Sequence, residues 1–251
     1  MKLELQNLSF SYGTQEILHD LSFSVAEGEF VSLLGPSGCG KSTILKLLTG
    51  VLTPSDGSIR ADGNEIHGIT GHFAYMPQND LLFPWKTILD NVCLYGEIHG
   101  SLSRAREEAL KNFPAFGLTG YENSYPSALS GGMRQRAALI RTLLPEPELL
   151  LLDEPFSALD YQTRLTVSDD IGQILRHSGK TALLVTHDLS EAISLSDRII
   201  VLSRRPATVS TIIPVTFSLE HDTPLNRRNA PEFKTYFNQL WKELNQNETL
   251  A

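Results

Sequence analysis

The stretch Phe30-Val31-Ser32-Leu33-Leu34-Gly35-Pro36-Ser37-Gly38-Cys39-Gly40-Lys41-Ser42-Thr43-Ile44-Leu45-Lys46-Leu47-Leu48 joins a continuous apolar run to a glycine-rich turn, then to residues with apolar positions at helical spacing. The run Phe30 to Leu34 is expected of a strand covered on both faces. After the turn, Ile44, Leu45, Leu47 and Leu48 form one side of a helix that Gly50 stops. Gly35 to Ser42 fits G-x-x-x-x-G-K-[ST] with the required strand before it and helix after it. A turn of this kind has to be bare of side-chain bulk so that backbone N–H groups can converge on a polyphosphate. The helix start adds unpaired amides and the positive end of its dipole. Gly35, Pro36, Ser37, Gly38, Cys39, Gly40, Lys41, Ser42 and Thr43 are therefore the expected nucleotide cradle. Lys41 would reach the β- and γ-phosphates and the Ser42 hydroxyl would ligate Mg²⁺. A glycine-rich turn without function also arises by chance, but seldom between a buried strand and a helix.

Further along, Leu149-Leu150-Leu151-Leu152-Asp153-Glu154 is an apolar strand ending in two carboxylates. Such a pair often does no more than carry the chain out of a core. Beside a phosphate cradle it lies where an open α/β sheet places its ligand. Asp153 would hold Mg²⁺ through its water shell, and Glu154 would orient and deprotonate the attacking water.

The rest of the chain supplies the sheet. Leu3, Leu5, Leu8 and Phe10 alternate with polar residues up to a Tyr12-Gly13 turn, and Leu21 to Val25 alternates again. Turn signals at 54–57 and 61–64 leave Ser58 to Arg60 as a short strand. Thr87 to about Leu144 reads as mainly helical, including Arg104 to Asn112. Thr181 to Thr186, Ile199 to Leu202 and Val209 to Ile213 read as strands, with a long helix from about Ala158 to His177 and an amphipathic one from Pro231 to Leu244. Strands alternating with helices imply an α/β fold with a mostly parallel sheet. The expectation is a P-loop NTPase core with an N-terminal antiparallel β part and an inserted helical subdomain at about 79–146. Residues 1–213 would be the ATPase domain and 214–251 a short appendage.

The chain has 251 residues, 21 Lys and Arg against 29 Asp and Glu, and a formal net charge of −8. That balance argues against a general nucleic-acid footprint. No apolar stretch approaches the roughly 18–20 residues that span a bilayer. The first residues lack the apolar centre of a secretory signal, so a chain that stays inside the cell is expected, with Cys39 and Cys93 as reduced thiols.

Leu129-Ser130-Gly131-Gly132 decides between P-loop families. With the cradle and Asp153-Glu154, in this order, it resembles the ATP-binding-cassette ATPases, the motor subunits of membrane transporters, over about residues 1–213. The resemblance implies a head-to-tail homodimer in which each ATP lies between one subunit's phosphate loop and the other's Ser130, Gly131 and Gly132. Those residues are expected at a helix N-terminus, a second anion site, with Met133, Ala137, Ile140 and Leu144 on the helix's buried side. The resemblance also implies that Tyr12 stacks on adenine and that Gln78 touches Mg²⁺ and water. It implies that His187 contacts the γ-phosphate and braces the catalytic carboxylate, and that Ser157-Ala158-Leu159-Asp160 crosses the dimer interface. Among the other histidines, His19, His67, His72, His99, His177 and His221, none has such a context. Many family members carry Gln where this chain has Met133.

Leu82-Phe83-Pro84-Trp85 is either core or the wall of a groove for a helix of a membrane subunit. Together with Pro155-Phe156-Ser157-Ala158-Leu159-Asp160 and Ser203-Arg204-Arg205-Pro206, it is similar to importers of the nitrate, sulfonate and taurine group, which includes importers of vitamin precursors. The implied partners are integral membrane permease subunits and, indirectly, a periplasmic or extracellular solute-binding protein. The implied location is the inner face of a bacterial cell membrane. A soluble cassette ATPase acting on ribosomes or DNA and a small-molecule kinase are the competing readings. The first usually has two cassettes or long coiled-coil insertions, and the second has no use for Leu129 to Gly132 or His187. Cys39 is expected to contribute only its amide, with its thiol near the phosphates, so that alkylation there would block ATP by bulk.

Overall fold

Leu3–Tyr12 (β1) and Gln15–Val25 (β2) form an antiparallel hairpin. In β1 the buried positions run Leu3, Leu5, then Leu8 and Phe10, so the two-residue alternation slips once. A bulge absorbs the slip: Leu5 pairs with Phe23, Leu8 pairs with Leu21, and Asn7 between them has φ 49°. The chain then forms Phe30–Leu34 (β3), Lys41–Leu48 (α1), Asp56–Ala61 (β4) and Asn64–Glu65 (β5). Strands β4 and β5 complete a four-stranded antiparallel sheet in the order β2-β1-β4-β5. Gly57 has φ 83°, and a Cβ there would stand 2.4 Å from the Asn7 carbonyl oxygen, so only glycine fits against the bulge.

Phe73–Met76 (β6) precedes four helices, Ile88–Val92 (α2), Leu94–Ile98 (α3), Leu102–Asn112 (α4) and Gly131–Leu143 (α5). Leu149–Asp153 (β7), Tyr161–His177 (α6), Thr181–Thr186 (β8), Leu189–Leu195 (α7), Arg198–Leu202 (β9) and Val209–Pro214 (β10) follow. Pro224–Asn229 (α8) and Pro231–Thr249 (α9) close the chain. The computed structural model describes residues 2–68, 71–220 and 222–249, with side chains described as far as Asn245. His221 and residues 250–251 of the expected appendage lie outside the described residues.

The second sheet runs β10-β9-β3-β8-β7-β6, parallel except for β10. Its centre is β3, and every residue of that strand is buried. Three apolar clusters hold the layers. One joins β1, β2 and α1 to the face carrying Val31 and Leu33. Another packs α2, α4, α5 and α6 on the opposite face. The third covers the β9–β10 edge with α7 and the α9 residues Leu240 and Leu244. Val185 of β8 pairs with Leu33 on one side and Asp153 on the other. The glycine turn and the paired carboxylates therefore leave the sheet at the same edge.

Most expected elements appear, with shifted ends. The long helix starts at Tyr161 rather than near Ala158, because the Asp160 side chain accepts the Thr163 N–H (3.1 Å) and caps it. The α5 helix is covered on more sides than the expected Met133, Ala137, Ile140 and Leu144 stripe, since Gln135, Ala138 and Leu139 are buried as well and Met133 and Leu144 only in part. Strand β6 and helices α7 and α8 carry no clear sequence signal. β6 is four residues on a sheet edge, and the two helices span seven residues or fewer.

Candidate functional site

Strand β3 delivers the chain to Gly35, and the loop turns back through Gly38 (φ 75°) and Gly40 (φ 129°) into α1. At Gly40 the conformation is forced from outside too, since a Cβ would lie 2.9 Å from Leu18 of β2. The Lys41 ammonium folds over the loop and donates to the carbonyls of Gly35 (2.7 Å) and Pro36 (3.0 Å). Ser42 and Thr43 follow in the first turn of α1. The loop lines a cleft of about 650 Å³ together with Glu154, His187, Arg205 and Leu244.

At the end of β7, Glu154 takes the left-handed backbone conformation (φ 45°), and its N–H donates to the Val185 carbonyl (2.8 Å). That kink turns its carboxylate into the cleft. His187 Nδ1, one residue past β8, stands 3.1 Å from Glu154 Oε1. From the other flank, the Gln78 side-chain amide donates to Ser157 Oγ (3.1 Å) and reaches toward Glu154 Oε2 (3.4 Å). Ser157 in turn donates to the Glu154 carbonyl (2.9 Å), which stiffens the turn.

Asp153 accepts a hydrogen bond from the Tyr75 hydroxyl (2.9 Å). Burial raises the Asp153 carboxyl above its ordinary range; the neighbouring Glu154 charge adds to this, and the Tyr75 hydrogen bond and Lys41 oppose it. Burial, followed by the Asp153 charge, pushes the Tyr75 phenol upward as well. Ser42, Asp153 and Gln78 offer only oxygen-type donors toward a cation, the chemistry a magnesium ion takes. A buried carboxyl held up by desolvation and by a second acid is one that a cation would relieve. The residues fit the ion.

Two groups of expected residues stand apart from this cleft. Ser130 caps α5 by accepting the Met133 N–H (3.3 Å), and Ser130, Gly132 and Met133 line a different, open pocket with Gln162, Thr163 and Thr166 of α6. Tyr12, 46% exposed at the β1–β2 turn, packs edge-on against Phe10 with ring centroids 4.8 Å apart and is not among the residues lining the cleft. Cys39 is 2% exposed, belongs to the core cluster under the loop and is not among the residues lining the cleft; a Cβ on Gly35 would stand 3.0 Å from its Sγ, its N–H donates to the Pro36 carbonyl (3.3 Å), and burial raises its thiol.

The Leu82-to-Trp85 segment divides. Leu82 is core, whereas Trp85 is 70% exposed. A groove of about 390 Å³ is lined by Tyr75, Leu94, Tyr95, Ile98 and Pro147, among others, and by none of Leu82, Phe83, Pro84 and Trp85. Three site-lining or site-holding residues lie outside the phosphate loop, the Asp153-Glu154 pair and Leu129 to Gly132: Tyr75, Arg205 and Leu244. Tyr75 sits in β6, which carries no clear sequence signal, and its partner Asp153 is 78 residues away. Arg205 Nη2 donates to the Gly38 carbonyl (2.5 Å) from 167 residues away, a contact that no local pattern announces.

A family model described as "ABC transporter" matches residues 18–157. The chain is 47% identical over 229 residues to the ABC transporter ATP-binding protein YtlC of Bacillus subtilis, covering 91% of this chain and 88% of that one. It is 42% identical over 228 residues to the aliphatic sulfonates import ATP-binding protein SsuB 1 of Rhodococcus jostii, covering 91% and 87%. Among solved structures, it is similar to a dimeric post-hydrolysis state of the ATP-binding cassette MJ0796 bound to ADP and Pi. The TM-score there is 0.71 at 28% identity, with 86% of this chain and 99% of that one covered.

Proposed function

This chain belongs to the ABC transporter family and is an ATP-hydrolysing subunit, and from that premise we propose that it powers an importer of a small sulfonate-type, nitrate-type or vitamin-precursor solute. The relatives named as sulfonate importers support the solute class. One observation carries the mechanism: the phosphate-loop cleft and the Ser130-capped start of α5 are two separate half-sites on one chain. Each is suited to one end of a triphosphate. A second copy, head to tail, brings Ser130, Gly131 and Gly132 over the cleft of the first.

Within that cleft the loop amides from Gly35 to Thr43 and the Lys41 ammonium hold the β- and γ-phosphates. Tyr12 packs against adenine at the rim. Ser42, Asp153 and Gln78 would hold Mg²⁺, which supplies charge neutralisation on the phosphates when bound. Glu154 accepts a proton from the attacking water. His187 keeps that carboxylate aimed and touches the γ-phosphate. Most of the acceleration comes from positioning and from charges fixed in advance. The groove at Tyr75, Leu94, Tyr95 and Ile98 receives a helix of a membrane subunit. Among the described residues no helix is long and apolar enough to cross a membrane, so membrane attachment in this reading runs through that partner. No residue of this chain meets the solute, which is read by the permease and a solute-binding protein.

The test is growth of a strain lacking this gene on an alkanesulfonate, taurine or nitrate as the sole sulfur or nitrogen source. Loss of uptake restored by the wild-type gene, but not by Glu154→Gln, is the expected result. Normal uptake of every such solute, with the chain recovered on ribosomes instead of with a membrane subunit, overturns the reading.

A further inference from the structure

We propose that Arg205 is a further phosphate-binding residue of the nucleotide cleft, a second cation acting beside Lys41. The inference rests on the reading of the cleft as an ATP site and gives a role there to a residue outside the phosphate loop, the Asp153-Glu154 pair and Leu129 to Gly132.

Arg205 lies in the turn Ser203-Arg204-Arg205-Pro206 between β9 and β10. Strand β9 is the parallel neighbour of β3, so this turn leaves the sheet beside the phosphate loop. The turn is tied down at both ends. Ser203 N–H donates to the Thr208 carbonyl (3.0 Å), and Thr208 N–H donates to Ser203 Oγ (2.9 Å). Ala207, fully buried, donates its N–H to the Ile17 carbonyl (2.8 Å) and accepts from His19 N–H (3.1 Å), which pins the turn to β2. A Cβ at Gly40 would meet Leu18 of that same strand at 2.9 Å. The backbone at Arg205 is therefore fixed relative to both ends of the phosphate loop.

The side chain has one partner and spare capacity. Its Nη2 donates to the Gly38 carbonyl, and Arg205 is among the residues lining the cleft. Among the described residues no carboxylate forms an ion pair with Arg205, whereas Arg134, Arg164, Arg176 and Arg198 each have one. In a chain of net charge −8 an arginine left without an acid, beside a loop of converging amides, is matched to an external anion. The planar fork holds one N–H on the loop and offers others to phosphate oxygens, a geometry that lysine reproduces only in charge. Arg204, the next residue back, is exposed but does not line the cleft, which makes it an internal control.

The experiment displaces a fluorescent ADP from the full-length chain with Mg·ATP, with inorganic tripolyphosphate and with adenosine. Arg205→Ala is expected to weaken ATP and tripolyphosphate about tenfold, the worth of one exposed charge-assisted contact. Adenosine should compete as well as it does against wild type. Arg205→Lys, which keeps the charge but not the fork, should recover only part of the loss, and Arg204→Ala should show none. Unchanged tripolyphosphate binding in Arg205→Ala overturns the proposal. So does an equal loss for adenosine, which would mark a disturbed loop, or an equal loss in Arg204→Ala, which would mark bulk charge. Should Arg205→Ala fold poorly, Arg205→Gln, which keeps an N–H for Gly38, must show the same phosphate-selective loss. A wild-type chain that binds neither ATP nor tripolyphosphate would instead bring down the ATP-site reading itself.

Discussion

His187 Nδ1 and Glu154 Oε1 stand 3.1 Å apart, although they come from different strands of the sheet and their backbones are kept in step by the β7–β8 ladder. Gln78 approaches the other carboxylate oxygen. Glu154 is thus held between two side chains while one face remains open to the cleft, the arrangement a proton acceptor needs.

Replacing Glu154 with Gln keeps the size and removes the base. Steady-state ATP hydrolysis should fall by about a hundredfold or more, while Mg·ATP affinity stays near wild type and a nucleotide-bound dimer accumulates on size-exclusion chromatography. Near-normal phosphate release would reject Glu154 as the base.

Gly132 serves packing as well as the α5 start. A Cβ there would lie 2.7 Å from Thr163 and 3.1 Å from Val167 on α6. Gly132→Ala should lower stability by about 1–3 kcal/mol, read from urea denaturation of the nucleotide-free chain. A midpoint equal to wild type would show that α6 yields without cost.

Glu191 is buried beneath the β8–α7 turn and accepts from Thr186 Oγ1 (2.7 Å). Burial pushes its carboxyl up to about 7, from an ordinary 4.5. The folded chain thus binds a proton that the unfolded chain has released between those values. Stability is fully present below the unfolded value and declines as pH rises through 7, by at most about 3 kcal/mol. Glu191→Gln should lack this slope, so that wild type loses ground to it between pH 5 and pH 8 in parallel urea titrations. Parallel curves would refute the assignment.

The thiols of Cys39 and Cys93 are both buried, and burial raises each, that of Cys93 to about 11. Iodoacetamide should modify neither at an appreciable rate until denaturant opens the chain. Cys39→Ser should bind Mg·ATP within about threefold of wild type, because Cys39 is buried in the core cluster and is not among the residues lining the cleft. Rapid labelling of native protein, followed by mass spectrometry, would contradict the packing described for Cys39.

What the sequence discloses here is what neighbouring residues do together. The phosphate loop reads directly, because its glycines, Lys41 and Ser42 lie within eight positions between a buried strand and a helix. The slip from Leu5 to Leu8 is likewise visible in β1, and it becomes the bulge at Asn7. Glu154 reads from the end of β7, but its grip by His187 and Gln78 depends on which strands become neighbours. Tyr75 on Asp153 and Arg205 on Gly38 are invisible for the same reason: their partners are 78 and 167 residues away.

The backbone at Glu154 has a consequence for how such a site can decay. Its φ of 45° lies where asparagine, aspartate and glycine rest comfortably and where a β-branched side chain crowds its own carbonyl. A copy of this gene freed from selection for hydrolysis, yet still needed as a folded partner, has few quiet exits at that position. Glycine, asparagine or glutamine there would remove the base and leave the sheet standing, whereas valine or isoleucine would cost the turn that joins β7 to α6.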